Sequence, residues 1–298
     1  MINRLKALLK DERVLINEKL DRHITFKVGG PAKALLMVET VEELKAVLKL
    51  LNEEHEEYFI LGNGSNLLVS DKGYDGYVIK LSGEFLNVSL DGDCVVAGAG
   101  VLLSKVCTFA RDNELTGLEF AYGIPGTVGG AMVMNAGAYG GEMKDVTESV
   151  TLLCRGEIVT YTCEEMQFGY RDSIIKHEDC IALETRFKLQ KGAKEEIIAA
   201  MADYMDRRRS KQPLEYPSAG STFKRPEGAF AGKLIEDAGL KGFRVGGACV
   251  SPKHAGFVVN DQNGTAADID ELMKQVAQKV KDNSGYDLQP EVIRIGKF

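Results

Sequence analysis

Two glycine-rich segments of this sequence carry no charged side chain and combine glycine with small polar residues. The longer segment, GIPGTVGGAMVMNAGAYGG at residues 123–141, contains seven glycines, and the shorter segment, GNGSN, occupies residues 62–66. Because glycine lets the main chain approach a ligand closely, N–H groups in such segments can bind phosphate without side-chain charge. A single glycine fits a tight turn equally well. Together, the two segments predict a chain that lies flat against a large, planar, phosphate-bearing ligand.

The sequence excludes the two commonest phosphate-binding motifs. The P-loop pattern G-x-x-x-x-G-K-[ST] does not occur. Gly98 and Gly100 follow a predicted strand and precede a predicted helix, as in a Rossmann fingerprint, but Leu103 replaces the third glycine. No regular alternation of strands and helices surrounds them, so a Rossmann domain is not expected.

Composition and charge narrow the class of protein. The length of 298 residues predicts two or three subdomains, and the hydrophobic content of 44% is that of a folded protein; the formal net charge is -7. Broad nucleic-acid binding needs clustered cations and is not expected. One basic run, Arg207–Arg209 with Lys211, is compatible with a helix C-terminus or with a local anion site.

Cysteine and histidine spacing predicts no metal site. The six cysteines form no C-x-x-C pair, and the four histidines are scattered. We therefore expect reduced thiols in a cytoplasmic protein. No apolar run has the roughly 18 to 20 residues that a membrane span needs, and the N-terminus is too charged for a signal peptide.

The order of predicted elements indicates an α+β fold. Short strands with few helices fill the first two-thirds, including a helix at about 102–113 and a strand at 181–189. Thr40 and Glu43 form a candidate capping box. Beyond a boundary near 190–193 we expect a long helix at 193–211, a helix at 230–238 and a second capping box at Thr265–Asp268. A strand in EVIRI closes the chain.

Six segments in order resemble the bacterial UDP-N-acetylenolpyruvoylglucosamine reductases of cell-wall precursor synthesis. They are LGNGSNLLVSD, the glycine segment at 123–141, YRDS at 170–173, SAGSTFKRP at 218–226, KHAGFVVN at 253–260 and QPEV at 289–292. Each segment alone is weak, but the ordered set is specific and covers the chain from about Thr25 onward. The resemblance implies an FAD-binding region of the vanillyl-alcohol-oxidase type, made of two subdomains at 1–80 and 81–191. A substrate-binding α+β domain at 192–298 would return a carboxylate to the flavin on its last strand.

The resemblance implies that both glycine segments hold FAD non-covalently, mainly through main-chain contacts. Thr127, Asn135, Ser65 and Asn66 would add side-chain hydrogen bonds. The implied FAD-binding residues are Gly62, Asn63, Gly64, Ser65, Asn66, Gly123, Pro125, Gly126, Thr127, Gly129, Gly130, Asn135, Ala136, Gly137 and Ala138.

The resemblance also implies a catalytic set. NADPH would reduce the flavin, and the flavin would reduce the vinyl β-carbon of an enolpyruvyl UDP-sugar, leaving negative charge at the α-carbon. Arg171 would grip the neighbouring carboxylate, Ser221 would donate the proton, and Glu291 would polarise the substrate or manage that proton. From the residues alone, Arg171 could be a surface cation paired with Asp172, Ser221 a polar turn residue, and Glu291 a charged residue beside an edge strand.

Four further residues fall at positions that handle the nucleotide sugar in relatives: Lys211, Lys224, Arg225 and His254. A structural role for His254 is an equal alternative. Arg171 and Ser221 lie 50 positions apart, which leaves no room for the substrate-covering loop of the longer variety of the family. We therefore expect the shorter variety, without the tyrosine of that loop.

The expected partners are the UDP-sugar enolpyruvyl ether and NADPH, with no nucleic acid, no membrane and no second subunit. Two other classes stay open at this point. A flavin oxidase of the same superfamily would act on a free sugar or alcohol with oxygen, often with covalently tethered FAD, although neither glycine segment contains histidine. A non-enzymatic nucleotide-binding module would need no Arg171–Ser221–Glu291 set.

Overall fold

The structure is a computed structural model that describes residues 1–298. Its helices are α1 Ile2–Leu9, α2 Val41–Glu53, α3 Leu103–Asp112, α4 Val128–Met134, α5 Lys194–Lys211, α6 Ala231–Asp237 and α7 Ala266–Ser284. The first nine strands are β1 Val14–Ile16, β2 Ala32–Val38, β3 Tyr58–Ile60, β4 Leu67–Val69, β5 Tyr74–Leu81, β6 Val88–Asp91, β7 Cys94–Gly98, β8 Leu115–Thr116 and β9 Gly137–Ala138. The others are β10 Gly141–Glu142, β11 Thr147–Cys154, β12 Glu157–Thr162, β13 Cys180–Lys188, β14 Gln190–Lys191, β15 Arg244–Val245, β16 Ala248–Val250, β17 Val258–Asn260 and β18 Ile293–Ile295. The mixture confirms the α+β class.

The chain divides into two compact units, each made of separated segments. The first unit comprises Met1–Leu15, Leu35–Asn63 and Val78–Arg208, and the second comprises Ile16–Ala34, Gly64–Tyr77 and Arg209–Phe298. A four-stranded sheet has the order β1-β2-β5-β3. The predicted division into three domains, with boundaries after residues 80 and 191, is not tested by these two units and stays a prediction.

A five-stranded antiparallel sheet, in the order β12-β11-β13-β7-β6, forms the centre of the first unit. Helices α3 and α4 lie against β7, and α4 also lies against β13. Helix α3 buries Leu103, Val106 and Cys107 at helical spacing, because an amphipathic helix presents one apolar face to a sheet. The sheet therefore supports α4, which forms part of the glycine segment at 123–141.

Helix α7 is central to the second unit. It packs against the antiparallel sheet β15-β16-β17 and against α6. The predicted apolar face is confirmed, since Ile269, Leu272, Met273, Val276 and Val280 are all buried. In the same unit β18 pairs in parallel with β4, which directly follows the GNGSN segment. This pairing fixes the end of the chain beside that segment.

The second predicted capping box is confirmed at the start of α7. The Thr265 hydroxyl accepts from the Asp268 main-chain N–H, and the Asp268 carboxylate accepts from the Thr265 N–H at 2.9 Å. The main-chain N–H of Thr265 is the main cause that lowers the pKa of Asp268. The carboxylate therefore stabilises the fold in its ionised form.

Asp268→Asn should lower the free energy of unfolding at neutral pH by about 1 kcal/mol, the usual size of a lost cap. Because the folded-state pKa is depressed, this stabilisation is complete above the unfolded pKa of about 3.9 and is lost as pH falls through the folded value. Urea denaturation at neutral and acidic pH measures it, with Glu271→Gln on the same helix as the control. An equal difference between wild type and variant at pH values below both pKa values would contradict this assignment.

The expectation that all six cysteines are reduced is wrong for two of them. Cys154 and Cys180 form a disulfide, while Cys94, Cys107 and Cys249 are buried free thiols and Cys163 is partly exposed. Antiparallel pairing of β11 with β13 puts Cys154 directly opposite Cys180. Their 26-residue separation in the sequence gives no indication of this register.

The capping box predicted at Thr40 and Glu43 is half correct. The Thr40 hydroxyl accepts from the Glu43 main-chain N–H at 3.1 Å, as expected for the N-cap of α2. The Glu43 carboxylate instead accepts from the Glu39 N–H at 2.8 Å and from the buried Arg13 guanidinium at 2.6 Å. The Arg13 hydrogen bond lowers the pKa of Glu43. The buried Arg13 guanidinium thus binds the Glu43 carboxylate, which the local sequence pattern had predicted to cap α2.

None of the helices is both long and apolar enough to cross a bilayer.

Candidate active site

The first two residues of the shorter glycine segment, Gly62 and Asn63, meet the longer segment within the first unit. The Asn63 side-chain amide donates to the Pro125 carbonyl at 2.8 Å. A Cβ atom on Gly62 would lie 2.6 Å from the Thr127 hydroxyl, so the segments approach more closely at this point than a larger residue permits. The Thr127 hydroxyl caps α4 by accepting from the Gly130 N–H at 3.4 Å. The structure therefore brings together FAD-binding candidates that are 62 or more positions apart in the sequence.

A run of main-chain donors in the shorter segment is unsatisfied within the protein. The N–H groups of Gly62, Asn63, Gly64 and Ser65 donate to no protein acceptor, and Gly64 is buried. Buried main-chain donors normally have partners, and successive unpaired N–H groups form anion-binding concavities. These donors fit the diphosphate of a dinucleotide such as FAD, as the glycine pattern predicts.

Asn135 holds the end of α4 rather than presenting its side chain to solvent. It is 1% exposed and has a left-handed backbone with φ of 40°. Its amide donates to Glu142 at 2.5 Å and to the Gly169 carbonyl at 3.0 Å, and its oxygen accepts from the Lys144 N–H at 3.0 Å. These partners lie in the protein, so the side chain links α4, the β10 region and the segment that carries Arg171.

Asn135→Ala should lower the free energy of unfolding by about 3 kcal/mol, because three partners lose a buried hydrogen bond. Asn135→Gly removes the same bonds but adopts the left-handed conformation freely, so the difference between the two variants isolates the backbone contribution. Chemical denaturation of both variants measures the effect. A stability within about 0.5 kcal/mol of wild type, the range of ordinary surface substitutions, would show that the network is dispensable.

Arg171 lies in a tight turn of the first unit, beside the longer glycine segment. Gly169 and Asp172 exchange main-chain hydrogen bonds of 3.0 and 3.3 Å across the turn, and Arg171 has φ of 56°. Its guanidinium lies 3.5 Å from the Gly137 carbonyl and 5.4 Å from the centre of the Tyr170 ring. The buried Ser173 hydroxyl anchors the turn by donating to the Val133 carbonyl of α4 at 3.0 Å. Ser173 and Asn135 are positioning residues whose roles sequence reasoning missed, although YRDS and the glycine segment contain them.

Asp172 has partners other than the neighbouring arginine. Its carboxylate contacts the His177 ring at 2.8 Å and Lys176 at 3.6 Å. The His177 hydrogen bond lowers the pKa of Asp172. The alternative interpretation of Arg171, as a surface cation paired with Asp172, therefore receives no support from this carboxylate.

The rest of the shorter glycine segment, residues 64–66, belongs to the second unit and is joined there to the Glu291 segment. The Asn66 side-chain amide donates to the Glu291 carbonyl at 3.1 Å, and the Asn66 carbonyl accepts from the Ile293 N–H at 2.9 Å. A Cβ atom on Gly64, where φ is +62°, would lie 2.4 Å from the His23 carbonyl oxygen. Only glycine fits this conformation and contact.

The main-chain segments that carry Ser221 and Glu291 run side by side. The Glu291 N–H donates to the Thr222 carbonyl at 2.9 Å, and Phe223 and Pro290 form an isolated antiparallel bridge. Thr222 is 1% exposed, and its hydroxyl accepts from the Val258 N–H at 2.9 Å. The Ser221 side chain is exposed. The structure thus brings Ser221 and Glu291 together, 70 positions apart in the sequence, while Arg171 belongs to the first unit.

The predicted nucleotide-sugar residues of the second unit occupy different settings. Lys211 is exposed at the end of α5, as the alternative of a helix C-terminus predicts. The main-chain N–H of Lys224 donates to the Gln289 carbonyl at 2.8 Å, which places Lys224 beside the QPEV segment. The Arg225 guanidinium lies 3.9 Å from the centre of the Phe230 ring.

His254 is held in place by contacts within the second unit. Its Nδ1 accepts from the Gly256 N–H at 3.1 Å, and the ring packs edge-on against Phe257 at 4.9 Å. Burial is the main cause that lowers the pKa of His254. Only Nδ1 is occupied by this hydrogen bond, and a ring whose Nε2 carries a proton can still donate to a ligand, so the structural role and the contact to the nucleotide sugar both stay predictions.

Two protein-family models match separate parts of this chain. A family model for the C-terminal domain of UDP-N-acetylenolpyruvoylglucosamine reductase matches residues 212–295, and a model for an FAD binding domain matches residues 32–162. The reductase of Caldanaerobacter subterraneus subsp. tengcongensis is 48% identical over 298 residues, which cover all of this chain and 98% of the relative. This chain belongs to the UDP-N-acetylenolpyruvoylglucosamine reductase family. The reductase of Alkaliphilus oremlandii is 49% identical over 98% of this chain and 97% of that protein.

Solved structures agree with the family. The crystal structure of UDP-N-acetylenolpyruvylglucosamine reductase from Thermus caldophilus superposes with a TM-score of 0.84 and 41% identity, covering 94% of this chain and 98% of that one. A p-cresol methylhydroxylase structure is 12% identical with a TM-score of 0.58, which shows a shared fold only, over 98% of this chain and 88% of that one. The predicted FAD-binding region of the vanillyl-alcohol-oxidase type is confirmed, as is the shorter variety of the family. The chain is an FAD-dependent oxidoreductase.

Proposed function

We propose that this chain reduces the enolpyruvyl group of UDP-N-acetylglucosamine enolpyruvate to give UDP-N-acetylmuramate in peptidoglycan precursor synthesis, with NADPH as the electron donor. Family membership supports the substrate class. The observation that carries the catalytic assignment is the 2.9 Å hydrogen bond from the Glu291 main-chain N–H to the Thr222 carbonyl, which holds the backbone of residue 291 beside the Ser221 segment.

The proposed cofactor site uses the main chain of both glycine segments. When bound, FAD supplies the two-electron chemistry that links NADPH oxidation to reduction of the vinyl β-carbon. The N–H groups of residues 62–65 would bind its diphosphate, and the Ser65 hydroxyl lies in the same run. Gly62 and Thr127 would keep the two segments in contact.

Arg171 is the proposed carboxylate-binding residue. Reduction at the β-carbon leaves negative charge at the α-carbon, and this charge delocalises into the neighbouring carboxylate. A guanidinium grips such a carboxylate through two parallel hydrogen bonds, and its stabilising effect grows as the charge develops. The Gly169–Asp172 turn and the Asn135 network hold its backbone in place for this task.

Ser221 is the proposed proton donor to the α-carbon. The O–H bond of its side chain breaks, a new C–H bond forms, and the alkoxide needs stabilisation from nearby donors. Lys224 and Arg225 follow it closely in the sequence. Glu291, held beside this segment, would polarise the substrate or manage the proton.

The proposal includes Lys211, Lys224 and Arg225 as contacts to the nucleotide sugar, since cations bind a diphosphate. The monomeric state, the cytoplasmic location and the absence of a nucleic-acid partner remain predictions.

Identification of the product tests this proposal. Under anaerobic conditions, the purified protein should oxidise more than one equivalent of NADPH per flavin only when the enolpyruvyl UDP-sugar is added, and mass spectrometry should find a product heavier by two hydrogen atoms. UDP-N-acetylglucosamine, which lacks the vinyl group, is the matched control substrate. Oxygen consumption with a free sugar or alcohol, together with flavin retained in an acid-precipitated pellet, would instead support the oxidase class.

A further inference from the structure

Lys176, which has no part in the reaction proposed above, contacts the turn that carries Arg171 in the first unit. Its ammonium group donates to the Arg171 main-chain carbonyl at 3.0 Å. The Asp172 carboxylate lies farther from this ammonium, at 3.6 Å, and both of its oxygens contact the His177 ring, at 2.8 and 3.0 Å. Lys176 therefore makes its shorter contact with the main chain of the turn rather than with the neighbouring carboxylate.

The main chain at the base of the Lys176 side chain is anchored to the rest of the first unit. The Lys176 N–H donates to the Ser173 carbonyl at 3.1 Å, within a short 3-10 turn at Ile174–Lys176. Ser173 is 1% exposed, and its hydroxyl donates to the Val133 carbonyl of α4 at 3.0 Å. The ammonium group thus reaches the Arg171 carbonyl from a fixed starting point.

Arg171 has a main-chain conformation that needs support. Its φ of 56° is left-handed, which is unfavourable for a residue with a Cβ atom and persists only where the surroundings fix it. The Gly169 carbonyl accepts from the Asp172 N–H at 3.3 Å and from the Asn135 amide at 3.0 Å, and the Asp172 carbonyl accepts from the Gly169 N–H at 3.0 Å. These bonds fix the two ends of the turn. Lys176 adds a bond to the carbonyl of the left-handed residue itself.

We propose that Lys176 is a positioning residue that fixes the direction of the Arg171 carbonyl, and with it the conformation in which the Arg171 guanidinium meets the substrate carboxylate. The inference rests on the carboxylate-binding role of Arg171 in the proposed function. A hydrogen bond from an ammonium group is stronger than one between neutral groups, so its loss should let the turn relax. A displacement of about 1 Å in a group that grips the substrate can slow a reaction by about 100-fold. No proton or electron passes through Lys176.

The first experiment measures the turn itself and needs no turnover. Amide hydrogen exchange of the FAD-loaded protein is followed by mass spectrometry in the peptide that contains residues 169–173. In Lys176→Met the amides of Gly169 and Asp172 should exchange about 10-fold faster, because a charge-assisted bond that holds the turn is lost. Lys176→Arg, which keeps a cationic donor, should restore most of the protection. Lys105→Met is the matched control, since it removes another ammonium–carbonyl bond of the first unit, from Lys105 to Leu86 at 3.3 Å.

The second experiment separates the two half-reactions by rapid mixing under anaerobic conditions. Lys176→Met should keep flavin reduction by NADPH within about twofold of wild type and slow reduction of the enolpyruvyl substrate by about 10- to 100-fold. Lys176→Arg should recover most of this loss, and Lys105→Met should match wild type in both steps. The double variant Lys176→Met/Arg171→Met should be no slower than Arg171→Met alone, because the lysine acts through the arginine.

The outcomes separate this inference from the proposed function. Faster exchange at residues 169–173 without slower substrate reduction, or slower reduction without faster exchange, would overturn the positioning role. Equal slowing of both half-reactions, or further slowing in the double variant, would also overturn it, because Lys176 would then act independently of Arg171. If the wild-type protein fails to reduce the enolpyruvyl substrate, the proposed function is wrong, while the exchange data still decide whether Lys176 holds the turn.

Discussion

Ser221→Ala is expected to leave reduction of the bound flavin by NADPH intact while slowing turnover of the enolpyruvyl substrate by about 10²- to 10⁴-fold, the range attributed to a lost general acid. The reason is that the hydroxyl is needed only after electrons have reached the β-carbon, when the α-carbon must be protonated. The Ser221 side chain is exposed, so its removal should not disturb the core. Rapid mixing under anaerobic conditions measures the two half-reactions separately.

Ser218→Ala is the matched control, because it removes a hydroxyl from the same loop three positions earlier. It should retain both half-reactions within a small factor of wild type. Both variants keep the two hydrogen bonds of the buried Thr222, one from the Val258 N–H to its hydroxyl and one from the Glu291 N–H to its carbonyl. The Glu291 segment should therefore keep its place. Equal slowing of flavin reduction and of substrate reduction by Ser221→Ala would be incompatible with the proton-donor role.

Gly64→Ala is expected to yield protein with little bound flavin. A Cβ atom at this position would lie 2.4 Å from the His23 carbonyl oxygen, and the backbone has φ of +62°. The contact partner is a main-chain oxygen, so no side chain can rotate away to relieve the clash and the loop must move. This movement displaces the unpaired N–H groups of residues 62–65. Strain and displaced donors of about 3 kcal/mol correspond to roughly 100-fold weaker FAD binding. The flavin-to-protein absorbance ratio after gel filtration reports this loss.

Gly92→Ala separates the contact from the backbone strain. Gly92 has the same φ of +62° but nothing within 4 Å of its Cβ position, so alanine there is strained without meeting a neighbour. This control should lose a little stability, about 1 to 2 kcal/mol, and keep its flavin. Flavin retention by Gly64→Ala equal to that of Gly92→Ala would show that the His23 contact does not shape the cofactor site.

The elements with strong periodic patterns could be predicted from the sequence. Helix α7 has a capping box, five apolar residues on one face and a left-handed glycine at its C-terminus, and these local features agree with its packing on the sheet. The long helix α5 begins and ends within one residue of its predicted range of 193–211. Local preference and tertiary packing coincide in these elements, so each was predictable without knowledge of the rest of the fold.

Features that depend on distant partners were not predictable. The second unit gathers residues 16–34 and 64–77 with the C-terminal third of the chain, and no composition change marks those segments. The Cys154–Cys180 disulfide depends on the register of β11 and β13. Glu43 leaves its predicted cap because Arg13, 30 positions earlier, is buried beside it.

The candidate site shows the same division. The glycine segments were visible because they lack charge and side-chain bulk, and the catalytic candidates were visible through their ordered motifs. The hydrogen bonds of Asn135 within the protein and the hydrogen bond that His254 Nδ1 accepts depend on partners that only folding supplies.

Anaerobic absorption spectroscopy of the purified protein tests the central claim most directly. We expect a flavin spectrum that NADPH bleaches and that stoichiometric enolpyruvyl UDP-sugar restores, while UDP-N-acetylglucosamine does not restore it. A spectrum that the enolpyruvyl compound fails to restore, or a preparation that takes up no FAD, would contradict the account.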